Sequence, residues 1–231
     1  MDDPIQALTF YVAFLFSTTV HEAAHAWAAL RGGDPTAYHG GQVSLDPLPH
    51  IRREPVGMVL LPVVTVAISG WPLGFASAPY DRHWAERHPR RAAWMALAGP
   101  AANLALLLIA AFMIRVGVGL EVLHAPDSIR FAGLTAAATH GWEQIGWVIG
   151  VFFSMNLVLL ILNLLPVPPL DGSGALPLLL SPSAAERWLE FTRQPMLGWV
   201  GILIAWRVFH EIFMPVFFFA ADLLYPEMTY G

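Results

Sequence analysis

The tightest constraint on this chain is a set of long apolar runs without charge. Residues 4–20, 55–80, 92–114 and 144–170 contain no Asp, Glu, Lys or Arg. About 20 such residues span the hydrocarbon layer of a bilayer as a helix, and a soluble exterior needs polar groups that these runs do not supply. A further apolar stretch, 196–224, is interrupted by Arg207, His210, Glu211 and Asp222. Composition agrees: 56% of residues are hydrophobic and 13% charged, where a soluble domain carries about 25% charged. The net charge of −5 excludes a basic nucleic-acid binder, and the absence of Cys excludes a disulfide scaffold, thiolate zinc sites and iron–sulfur clusters. The expected fold is an all-α multi-pass membrane protein forming one domain over residues 1–231, with its core at 5–180 and a C-terminal helix at 196–225. Asp2 and Asp3 lack the basic character of a signal-peptide flank.

The runs differ in quality. Residues 92–114 carry the small-residue string Ala98-Gly99-Pro100-Ala101-Ala102, which lets another backbone approach closely. Residues 55–80 are broken by Pro55, Pro62, Pro72 and Pro79 and by Gly57, Gly70 and Gly74. Proline removes a helix donor, and irregular backbone at membrane depth persists only where protein or a cavity shelters it. The expectation is therefore about four transmembrane helices plus one re-entrant or broken segment at 55–80, with short β-hairpin-like loops. Residues 183–193 read as an amphipathic surface helix.

The first apolar segment ends in His21-Glu22-Ala23-Ala24-His25, an H-E-x-x-H pattern. Residues four apart share a helix face, so both imidazoles reach one metal ion. Zinc brings the pKa of a coordinated water to about 7, and a neighbouring carboxylate accepts its proton. The alternative is two core histidines and a glutamate with structural partners. Ionisable side chains inside a membrane segment cost about 2.5–3.5 kcal/mol each, so three within five residues argue for function. A catalytic zinc takes three protein ligands. Asp171 is the strongest candidate for the third, following the proline-broken string Pro166-Val167-Pro168-Pro169-Leu170; an ordinary Asp-Gly turn beyond a membrane helix is the competing reading.

Three motifs in order, H-E-A-A-H at 21–25, Gly99-Pro100-Ala101-Ala102-Asn103, and Asn163-Leu164-Leu165-Pro166-Val167-Pro168-Pro169-Leu170-Asp171-Gly172, resemble the site-2 protease family of intramembrane zinc metalloproteases. The resemblance covers about residues 8–180 and extends to the compact bacterial subgroup without PDZ or CBS domains through residues 32–37 and 41–47. It implies one zinc ion per chain held by His21, His25 and Asp171, with Glu22 as general base. It also implies that Asn163 holds the substrate strand or the oxyanion and that Asn103 has a supporting role. The implied substrate is a transmembrane segment of another protein, cleaved in regulated intramembrane proteolysis. The implied location is a bacterial plasma (inner) membrane, with no nucleic-acid partner. A helical substrate must unwind to expose its carbonyls, and residues 40–45 and 71–79 are candidate edges to pair with it. A catalytically silent homologue and an ion- or proton-coupled transporter are the alternatives.

The metal reading makes a geometric demand. His21 and His25 meet Asp171 only if helices 8–30 and 145–165 run parallel, which requires that 55–80 not cross. That topology puts Arg31, Arg52, Arg53, Arg82, Arg87, Arg90 and Arg91 on one face, the cytoplasmic one by the positive-inside rule. The N-terminus and C-terminus then lie outside and the site faces the cytoplasm. His39 and His50 are default loop residues within reach of the cavity, and Arg207 with His210 and Glu211 suggests a polar network or a gate in the last helix.

Overall fold

The structure is a computed structural model that describes residues 4–192 and 194–230. Asp2, Asp3 and Arg193, placed above by sequence, lie outside the described residues. The chain is 73% helical with one two-stranded sheet among the described residues, as an all-α fold requires. In order, the helices are α1 (Pro4–Gly32), α2 (Thr36–His39), α3 (Pro47–Arg53), α4 (Leu61–Ser69), α5 (Arg82–Arg87), α6 (Pro89–Gly119), α7 (His140–Leu164), α8 (Asp171–Ala175), α9 (Pro182–Thr192) and α10 (Pro195–Leu224). Three of them, α6, α7 and α10, are long and apolar enough to cross a membrane. Helix α1 has the length, 29 residues, but its final third carries His21, Glu22 and His25.

Helices α1, α6 and α7 form the centre. Along α1, Phe10 packs near Trp147, Ser17 meets Asn156 and His25 meets Asp171. Both numbers rise together, so α1 and α7 run parallel. Against α6 the order reverses, His25 meeting Met95 and His21 meeting Asn103, so α6 runs antiparallel to both. Helix α10 packs Phe213, Phe217, Ala221 and Leu224 onto a core shared with Leu107, Ala110 and Ile114 of α6 and Phe153 and Leu157 of α7. Arg115 donates to the Leu224 carbonyl at 2.7 Å and closes the end of α10.

Residues 55–81 fold back on themselves. A π-helical turn, Val56–Leu60, leads into α4. Together they rise about 21 Å, short of the ~30 Å hydrocarbon layer. Gly70, in the left-handed region at φ 76°, ends α4, and an extended segment returns beside it. The Leu73 amide donates to Thr65 Oγ1 at 2.8 Å and the Phe75 amide to the Gly57 carbonyl at 3.1 Å. Ser77 then reaches back to Glu54 and Arg53. Gly57 is required at this crossing, because a Cβ there would lie 2.1 Å from the Phe75 carbonyl oxygen. At the tip, Trp71 stacks edge-on against Phe131 and Phe10.

The far end of this segment is tied to the end of α1. Asp34 is buried and accepts hydrogen bonds from the Thr36 amide and hydroxyl and from the Asp81 amide. The Gly32 carbonyl accepts from Trp84 Nε1 and Arg91 Nη1. Residues 71–79 run extended with the Phe75 amide on the Gly57 carbonyl, and neither they nor residues 40–45 pair as a strand with another described segment. The sheet is instead Leu123–His124 (β1) with Ala136–Ala137 (β2), in the α6–α7 connection.

Burial raises the Asp34 carboxyl pKa, but the bonds from Thr36 and Asp81 outweigh it and hold the group below its ordinary range. The folded pKa lies below the unfolded one, so this contribution is full above the unfolded value and disappears as pH falls through the folded value. Asp34→Ala is expected to lower stability by about 1.5–3 kcal/mol near neutral pH. Unfolding in detergent should show wild type and variant converging in acid.

Candidate metal centre

The histidine face of α1 turns into the bundle. His21, Glu22 and His25 are each 5% exposed. Asp171 arrives from the other side of the centre: prolines 166, 168 and 169 stop α7 from continuing, and the chain turns through them to start α8 at Asp171. Ser173 Oγ bonds the Leu170 carbonyl at 2.8 Å, and Trp188 of α9 donates to the Ser173 carbonyl at 2.8 Å, so the turn is anchored on both sides. His21 Nε2 lies 3.0 Å and His25 Nε2 3.2 Å from Asp171 Oδ2, and the two Nε2 atoms are 3.0 Å apart.

The hydrogen bonds on the far sides of the rings decide what meets in this triangle. His25 Nδ1 is 2.7 Å from the Met95 carbonyl, which only accepts, so Nδ1 carries a proton and, in the neutral ring, Nε2 offers a lone pair. Pro100 lacks the amide that would close the α6 turn onto Ala96, close to where the Met95 carbonyl reaches the ring. For His21 the reasoning runs through two asparagines. Asn156 Nδ2 faces the Phe152 carbonyl and Ser17 Oγ, so its Oδ1 accepts from Asn103 Nδ2. Asn103 Oδ1 must then accept from His21 Nδ1, at 2.6 Å. His21 Nε2 is likewise a lone pair.

Two lone pairs and a carboxylate oxygen therefore converge within 3.2 Å. Such an all-acceptor cluster repels itself unless a cation sits among its members. Three ligands at zinc's usual 2.0–2.2 Å in tetrahedral array are about 3.3–3.6 Å apart, a few tenths beyond the observed edges. The donor set of two imidazoles and one carboxylate suits that ion, and His21, His25 and Asp171 are the only such metal-competent group among the described residues. A Cβ on Gly99 would lie 2.4 Å from both Nε2 atoms, so only glycine lets α6 pass this close.

A profile of the Peptidase family M50 matches residues 9–206. The chain belongs to this family, the site-2 proteases. Its relatives carry names of zinc metalloproteases. YwhC of Bacillus subtilis is 30% identical over 203 residues, covering 87% of this chain and 79% of YwhC. Rip2 of Mycolicibacterium smegmatis is 32% identical over 203 residues, covering 80% and 68% respectively. Rip2 of Mycobacterium tuberculosis is 32% identical over 214 residues, covering 91% and 71%. No solved structure matches the chain. The protein is a zinc metalloprotease.

Glu22 is buried beside the triangle, and among the described residues no hydrogen bond or ion pair engages its carboxylate. A cavity of about 600 Å³ opens on the Asp171 side and is lined by Met95, Ala96, Gly174, Leu189 and Gly198. Asn103 is fully buried behind His21. Asn163 lies half-buried on the last turn of α7, and its side chain bonds none of the described residues. His50 departs from the default: it is buried, with Nε2 donating to the Ser44 carbonyl, and shapes the loop. Sequence reading missed Asn156 and Ser17, while the close approach it expected at Gly99 is borne out. Asn156 was visible as the one strongly polar side chain in the middle of α7, but being neutral it does not register as a charge exception. Gly99→Ala is expected to push the imidazoles apart and lower the zinc content of purified protein at least about tenfold, measured by metal analysis.

Proposed function

We propose that this protein is an intramembrane endopeptidase that hydrolyses peptide bonds in or near transmembrane segments of other membrane proteins, as in regulated intramembrane proteolysis. The observation that carries the reading is the buried all-acceptor triangle beside an unengaged carboxylate, built into a bundle of membrane-length helices. His21, His25 and Asp171 hold one zinc per chain. When bound, that zinc polarises the scissile carbonyl and acidifies a water. Glu22 accepts a proton from the attacking water and returns it to the amine that leaves when the C–N bond breaks. Met95 and the Asn156–Asn103 chain keep both rings in the liganding tautomer. Asn163 steadies the oxyanion or the substrate strand from the end of α7. The cavity beside Asp171 admits water and the unwound substrate.

Four helices cross the bilayer in this reading, α1 joining α6, α7 and α10, while residues 55–80 enter and leave on one face. Arg53 beside Ser77, and Arg91 at Gly32, sit at the end of the bundle where α1 finishes and α6 begins. With Arg31, Arg52, Arg82, Arg87 and Arg90 they make that end cytoplasmic, in a bacterial plasma membrane. The chain lacks Cys, so single cysteines report topology cleanly. Cysteines at positions 46 and 86 should label from the same side, and labelling from opposite sides would remove the re-entrant segment.

Glu22→Gln is expected to lower cleavage by about 10²–10⁴-fold with zinc still bound, since Glu22 is outside the triangle. His25→Ala should lose both zinc and activity. Comparing membrane-protein fragments between wild-type and Glu22→Gln cells identifies the substrate. An active Glu22→Gln protein would refute the general-base role.

A further inference from the structure

Helix α10 is the least buried of the three membrane-length helices: 17% of its most apolar stretch is buried, against 33% in α6 and 56% in α7. Its packed side is clear. Ala205, Phe213 and Phe217 are buried, and Phe209 packs against the same core. At 100° per residue, Arg207 and Glu211 lie on the opposite side of the helix. Both are exposed, as are His210 on the flank and the neighbouring Leu203 and Trp206, 70% and 72% exposed. Neither Arg207 nor Glu211 has an ion-pair or hydrogen-bond partner among the described residues. They stand near the middle of a 30-residue helix, where a charge facing lipid is unfavourable and marks a contact.

We infer that this face of α10 pairs with the same face of a second copy of the chain, Arg207 of each protomer meeting Glu211 of the other. The charge pattern singles out this occupant. Copies inserted in one membrane share orientation and depth, so a two-fold axis along the membrane normal sets α10 beside α10 in register and parallel. Arg207 and Glu211 are one turn apart, about 6 Å along the axis, a span that the long Arg side chain covers. The two-fold axis makes the contact isologous, so each Arg–Glu pair occurs twice and no charge is left over. A foreign helix would need its own acid and base at matching depths; a second copy has them. Val200, 43% exposed, continues the same face toward the first turns of α10, and the contact uses no residue of the metal centre.

The inference rests on α10 crossing the bilayer and is independent of the catalytic reading. Two variants co-expressed with different tags separate it from pairing within one helix. Arg207→Glu places two acids on one chain, and Glu211→Arg two bases. Each variant alone is expected to lose self-association about tenfold or more in lipid nanodiscs, while the two together co-purify at the wild-type level. A Leu203→Cys chain should form a disulfide-linked dimer on oxidation, and an Ala205→Cys chain should not. Zinc content, which the metal centre alone sets, should be unchanged in both charge variants and confirms that they are folded. Wild-type protein that is monomeric in lipid, charge variants that self-associate normally, or stoichiometric co-purification of a different membrane protein in place of the second copy would each overturn the inference.

Discussion

Two imidazole lone pairs and a carboxylate oxygen held together inside an apolar bundle are unstable without a cation. The rest of the architecture serves to hold them there. Nothing local to H-E-x-x-H does so: the motif puts two rings on one face of α1, and each ring is then fixed by a different helix. Met95 of α6 fixes His25, and Asn103 of α6 fixes His21. The second of these depends in turn on α7, because Asn156 orients Asn103 by using its own amide on the Phe152 carbonyl and on Ser17. A histidine of the metal-competent triangle on the first helix thus has its ring orientation set by a backbone carbonyl on the seventh.

That dependence explains the close packing at the centre. Hydrogen bonds of 2.6–3.0 Å between helices require backbones near one another, and Gly99 supplies the gap on α6. The folded-back segment at 55–81 serves the same end on a larger scale. By returning to the face it left, it keeps α1 and α7 parallel, so that the histidines and Asp171 reach the same depth. The Asp34 bonds and the Gly32 carbonyl fasten the return to α1. The cost of a buried polar cluster is thereby met by coordination and by neutral amide partners rather than by solvent.

Much of this was legible. The three motifs named the family, and the structure brings His21, His25 and Asp171 of those motifs together. The proline and glycine positions in 55–80 pointed to a broken segment, and the segment folds back on itself. The fold-back bonds of 71–79 were not legible: the Phe75 amide meets the Gly57 carbonyl because of what lies alongside, not because of its own composition. Asn156 escaped for a related reason, since a neutral amide in an apolar run carries no charge signal and its importance lies wholly in its neighbours. Arg207 and Glu211 were read as a network or gate; the packing of α10 turns them away from the chain's own core.

The sequence by itself determined a membrane protein, an H-E-x-x-H helix and an Asp in a proline-broken turn, because hydropathy and backbone restriction are local properties. Only the tertiary structure decided that the three ligand atoms meet, which nitrogen each ring offers, and which face of α10 is left without a partner. Those outcomes depend on helix direction, depth and rotation, which are set by contacts between residues up to 146 positions apart.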